Sequence, residues 1–182
     1  NLAGSQGVAA IAIVMYAQSI LSAAYNGYSW GISPIISFNF GKKDTDRLKR
    51  IFSISLRTII AFAATVFVLG ILFTGQLIGI FTAQGTELFS MSVHGYRLYS
   101  VCFLLAGVNV FASAMFTALS DGKVSAILSF FRTLFFITIT ILVLPLILGI
   151  NGVWLAMPVA EVFSLGLSIY FFKKKRCVYN YA

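Results

Sequence analysis

From Val8 to Trp30 the chain carries no charged side chain, and the uncharged run then passes Pro34 and Gly41 straight into a dense basic cluster. Nothing else in the sequence restricts the fold as much. An apolar stretch of this length is a membrane-spanning helix, and a short basic loop beside such a span is held on the cytoplasmic side. Lys42, Lys43, Arg47, Lys49 and Arg50 make up the cluster, diluted only by Asp44 and Asp46. Pro34 removes a backbone donor inside the span and predicts a helix kink there. If the helix instead stops before Ser33, the remainder is re-entrant or interfacial. Gly41 suits a helix stop.

Further apolar runs follow, and the expected helices cover residues 7–38, 51–74, 93–119, 124–148 and 153–172. In the second, Arg57 snorkels back to the basic face. Pro145 breaks the fourth late, and the run Lys173 to Arg176 stops the fifth. Of 182 residues 59% are hydrophobic and 10% charged, and the mean hydropathy of +0.95 excludes a soluble domain. The fold class is therefore an all-α membrane protein, a bundle of five transmembrane helices. A net charge of +8 would suggest nucleic acid in a soluble protein. Here the Lys and Arg sit in loops and the reading is topology, with no nucleic-acid partner. With the first N-terminus outside, Lys42 to Arg50, Lys123 and Lys173 to Arg176 all fall inside, whereas the external segments hold no Lys or Arg. Cys102 and Cys177 lie at different levels and do not pair. No metal-ligand spacing, P-loop or Ser/His/Asp set is present, so no metal, cofactor or catalytic residue is expected.

Polar side chains recur at helical spacing inside two spans. Gln18, Ser22, Asn26, Ser29 and Ser33 share a face of the first helix, and Asn109, Ser113, Thr117 and Ser120 share one on the third. Gln18, Ser22, Asn26, Asn109 and Ser113 are the candidate substrate-pathway residues, the wall of a solvated cavity. Inter-helix hydrogen bonding and small-residue packing explain the same stripes, and both readings stay open. Tyr96 and Tyr99 offer stacking for a flat cation or ordinary interfacial anchoring. His94, at the outer end of the third helix, is either a pH sensor or a plain interfacial histidine.

Glu161 is the one carboxylate within the apolar spans, about eight residues into the fifth. Such a group costs several kcal/mol unless it is protonated, paired or hydrated. It is the coupling-ion candidate, with a structural acid as the alternative. Arg132 on the preceding helix invites pairing, but the two residues are about 10 Å out of level at 1.5 Å per residue and lean in opposite directions. The expectation is no direct salt bridge, with Arg132 either snorkelling or meeting another helix's carbonyls and the Ser125 and Ser129 face.

The segment SPIISFNFGKKDTDRLKR at residues 33–50 resembles the loop between the first two helices of the second lobe in MATE-family multidrug exporters, which often read close to QPIxSYNYGAK. Ser33 stands where Gln is common and Lys42 where Ala is. GINGVWLAMPVAE at 149–161 resembles the start of that family's last core helix, and GSQGVAA at 4–10 its entry into the earlier one. The resemblance implies helices eight to twelve of a twelve-helix transporter, part of a six-helix lobe. The start at Asn1 agrees with a missing N-terminal lobe of the same chain. It further implies a secondary antiporter in the bacterial plasma membrane, exporting cationic or amphiphilic small molecules in exchange for sodium ions or protons. Some members carry an acid on the helix matching residues 93–119, and this chain has none there. A Glu after Pro-Val-Ala is common in the family as a packing feature. Alternatives are a lipid-linked oligosaccharide flippase of the same superfamily, or a non-transport membrane subunit or enzyme.

Overall fold

A computed structural model describes residues 4 to 182, and they form helices joined by short turns. In chain order these are α1 (Gly4–Gly41), α2 (Thr45–Leu72), α3 (Thr74–Gly79), α4 (Glu87–Tyr99), α5 (Val101–Ala118), α6 (Gly122–Phe130), a π-helical turn (Phe131–Phe136), α7 (Ile137–Leu148) and α8 (Ile150–Tyr179). Among the described residues, five segments are long and apolar enough to cross a membrane: Gly4–Gly41, Thr45–Leu72, Val101–Ala118, Gly122–Leu148 and Ile150–Tyr179.

The helix ends depart from the sequence reading, each for a local reason. α1 continues through Pro34 to Gly41, so it does not stop before Ser33. α2 starts at Thr45 rather than residue 51, because Asp44 caps it by accepting from the Arg47 N–H at 3.1 Å. Arg47, Lys49 and Arg50 of the basic cluster are thus helical. The third span is two pieces, α4 and α5, meeting at Ser100. Pro145 does not break the fourth, which runs on to Leu148. Its irregularity comes earlier, in the π turn. Finally, Lys173 to Arg176 do not stop α8, which extends to Tyr179. Lys and Arg are good helix formers, and cations near a C-terminus complement the helix dipole.

α5 is the centre of the bundle and packs against α1, α2, α6 and α8. Its Phe103, Phe111, Met115 and Phe116 are buried. Close approach depends on Gly107, where an added Cβ would lie 2.6 Å from the Tyr25 ring and 2.8 Å from Ile59. The turn joining α7 to α8 is the single residue Gly149, whose φ of +57° is a glycine conformation.

The helix ends expected at the cytoplasmic face come together. Tyr181 is buried with its ring 4.9 Å from Phe52 of α2 and 6.4 Å from Phe116 of α5. Its hydroxyl donates to the Phe172 carbonyl at 2.8 Å. Asp121, between α5 and α6, accepts from Tyr179 at 2.8 Å and pairs with Lys175 at 2.9 Å. At the opposite end, His94 hydrogen-bonds Asn151 across 2.9 Å, tying α4 to the start of α8.

Candidate functional site

An open cavity of about 640 Å³ lies over α5, with α1 forming one wall and α6 with the π turn the other. α1 contributes Asn26, Trp30, Ser33, Pro34 and Ser37; α5 contributes Ser113 and Thr117 among smaller apolar residues. Ser125, Ser129, Arg132 and Thr133 complete the far wall. Hydroxyls link the far wall to the floor: Ser113 to Ser125 at 3.1 Å and to Ser129 at 2.7 Å, and Thr117 to Ser125 at 2.7 Å.

The polar stripe of α1 does not all face this space. At about 100° per residue, Ser29 falls roughly 20° from Gln18 around the helix, while Asn26 and Ser37 lie roughly 80–100° away. The stripe therefore straddles the border of the buried face. Ser29 is fully buried, Gln18 is half-buried and accepts from the Tyr99 hydroxyl, and Ser22 is half-buried outside the cavity lining. Only Asn26 and Ser33 of the predicted set reach the cavity on this side. On α5 the division repeats, with Ser113 and Thr117 lining the cavity and Asn109 turned into the core. Tyr96 and Tyr99 are also core residues and offer no stacking surface. Pro34 sits on the cavity wall, where its missing N–H deprives the Trp30 carbonyl of its helical donor.

Asn109 belongs instead to a buried polar cluster around Glu161. Its amide donates to the Glu161 carboxylate at 2.6 Å and to the Glu161 carbonyl at 3.0 Å, and its own carbonyl accepts from Ser168 at 2.9 Å. Arg132 donates from Nε and Nη2 to Glu161 Oε1 at 3.0 and 2.8 Å, and from Nε to Oε2 at 3.2 Å. The expectation of no Arg132–Glu161 salt bridge is therefore overturned. Two assumptions failed. The turn is Gly149 alone, so the residues are five positions out of level rather than seven, roughly 7 Å at 1.5 Å per residue. The intervening segment also is not all α: Arg132 lies in the π turn, whose i→i+5 bonding alters both pitch and facing. The long Arg side chain spans what remains. With Glu161 3% exposed, pairing and hydrogen bonding on both oxygens are what make the charge tolerable there.

Ser125 and Ser129, named in the sequence reading as a face for Arg132, line the cavity with it, but its hydrogen bonds go to Glu161. Trp30, Ser37 and Thr133 were missed. The i, i+4, i+8 spacing of Ser125, Ser129 and Thr133 was the available signal.

A family model, MatE, matches residues 1–142. The multidrug export protein MepA of Staphylococcus saprophyticus is 25% identical over 135 residues, which cover 74% of this chain and 29% of that protein. Among solved structures, an outward-facing multidrug resistance MATE family transporter of the MOP superfamily superposes with a TM-score of 0.88 at 18% identity. A MATE protein in complex with MaL6 gives 0.89 at 17%. Each comparison covers all of this chain and 41% of the other. An inward-facing MATE transporter gives 0.76 at 19%, covering 93% of this chain and 38% of that one.

Proposed function

The chain belongs to the MatE family, and from that premise we propose that it is part of the C-terminal lobe of a secondary antiporter. The antiporter exports drugs or organic cations from the cytoplasm in exchange for sodium ions or protons, and this chain works with an N-terminal lobe. The observation that carries the reading is the cavity over α5, large enough for a drug-sized molecule and lined by hydroxyls, one indole and one guanidinium. Asn26 and Ser113 are its pathway residues. Gln18 and Asn109 act behind the wall, tying α1 to α4 and α5 to α8, and Ser22 lies outside the cavity lining. Pro34 is the point at which α1 bends.

Glu161 serves as a coupling site only if Arg132 releases it, since both carboxylate oxygens are occupied. We favour a structural role. The full-length transporter in proteoliposomes, given a sodium or proton gradient and a fluorescent organic cation, tests both claims. Gradient-driven dye transport is expected, and its absence under either gradient would refute the antiporter reading. Glu161→Gln is expected to keep the dependence on the coupling ion. Loss of that dependence with normal protein yield would restore Glu161 as the coupling group.

A further inference from the structure

We propose that Arg132 is a recognition group for a carboxylate on a flat aromatic amphiphile bound in the cavity of this lobe. The inference deepens, and rests on, the reading of that cavity as a substrate pathway.

A guanidinium is planar and offers donors along more than one edge. Glu161 takes the Nε and Nη2 edge of Arg132. Among the described residues nothing accepts from Nη1, and Arg132 lines the cavity. Glu161 therefore anchors the side chain and offsets its charge in the membrane, while Nη1 is left without an acceptor in a residue that lines the cavity. No Asp or Glu lines this cavity. A cationic group seated directly against Arg132 would meet a guanidinium and no counter-charge, whereas an anionic acceptor at that point meets its complement. The neighbouring hydroxyls of Ser129 and Ser113 exchange donor and acceptor roles by rotation. They can serve the second oxygen. Across the cavity on α1, the Trp30 side chain is 71% exposed beside Pro34 and supplies a surface for an aromatic body.

Rhodamine B and its ethyl ester share one aromatic cationic body and differ in a free against a blocked carboxylate. Fluorescence anisotropy titration of each dye onto the purified full-length transporter is expected to show about tenfold tighter binding of the acid, the effect of one hydrogen bond between charged groups. In Arg132→Gln/Glu161→Gln, which leaves no buried charge unpaired, the acid is expected to weaken about tenfold and the ester to stay unchanged. Arg132→Lys guards against misfolding of that variant. Its ammonium keeps a partner for Glu161 but is a point charge on a shorter stem, without the rigid fork that holds a donor beside that pair, so it too is expected to lose the preference for acid. Equal affinities for the two dyes in the parent protein, or retention of the acid preference in Arg132→Lys, would overturn the assignment. Dye counterflow in the same preparation separates the two readings. Absent counterflow with preferential acid binding removes the antiporter and leaves the subsite.

Discussion

Glu161 and Arg132 stabilise each other's charge, so truncating either alone leaves the other without its partner. Glu161→Ala leaves a guanidinium without its acceptor and the Asn109 amide with only the backbone carbonyl of its two acceptors. It should lower stability by roughly 3–5 kcal/mol, visible as a fall in the thermal midpoint of the full-length protein. A matched apolar pair, Arg132→Met with Glu161→Leu, should recover most of that loss. The carboxylate itself was legible as a lone charge in an apolar span. Its partner was not, because the pairing depends on a local change of helical pitch that no hydrophobic pattern announces. Asp121 is a second charge held by geometry. Burial alone would raise its pKa, but the Lys175 ammonium, the Tyr179 hydroxyl and the Val124 N–H together hold it below the usual carboxylate range. A carboxyl depressed in the folded state contributes stability above its unfolded pKa of about 3.9, and that contribution is lost as pH falls through the lower folded value. Asp121→Asn should therefore destabilise the protein at neutral pH and flatten the acid limb of its stability profile, which thermal melts between neutral and acidic pH would show.

The element with least tolerance is α5, because it is surrounded. Gly107→Ala places a methyl against the Tyr25 ring and Ile59, and overpacking of this kind costs roughly 1–3 kcal/mol; detergent-solubilised Gly107→Ala should unfold measurably earlier than a control such as Gly27→Ala, whose Cβ meets nothing within 4 Å. That α5 would be a span was plain from its apolar run. Where the helices end was not, since ends are decided by single caps. Asp44 starts α2 early, and Lys173 to Arg176 continue α8 because they are compatible with helix and find partners at its end. The cavity was half legible for a related reason. Helical spacing groups Gln18 with Asn26, but the boundary between core and cavity cuts through that group and is set by where α5 packs.

At the scale of the whole lobe, the basic helix ends predict its orientation. A single Cys at Lys43 should be closed to an impermeant thiol reagent applied outside intact cells, and one at Gln84 open to it; the reverse pattern would invert the topology. The five spans and their order were readable from hydropathy and loop charge, whereas the aromatic closure around Tyr181 was not, since its residues come from three helices far apart in sequence. That closure bears on time rather than on shape. A lysine-rich last turn projecting from a membrane would ordinarily fray and exchange its amide hydrogens quickly. Here residues 173–179 of α8 are pinned by Tyr181 to Phe172 and by Asp121 to Lys175 and Tyr179. Their amides should exchange on the timescale of the lobe's own opening, and Tyr181→Ala should return them to fast exchange while α1 and α5 keep theirs.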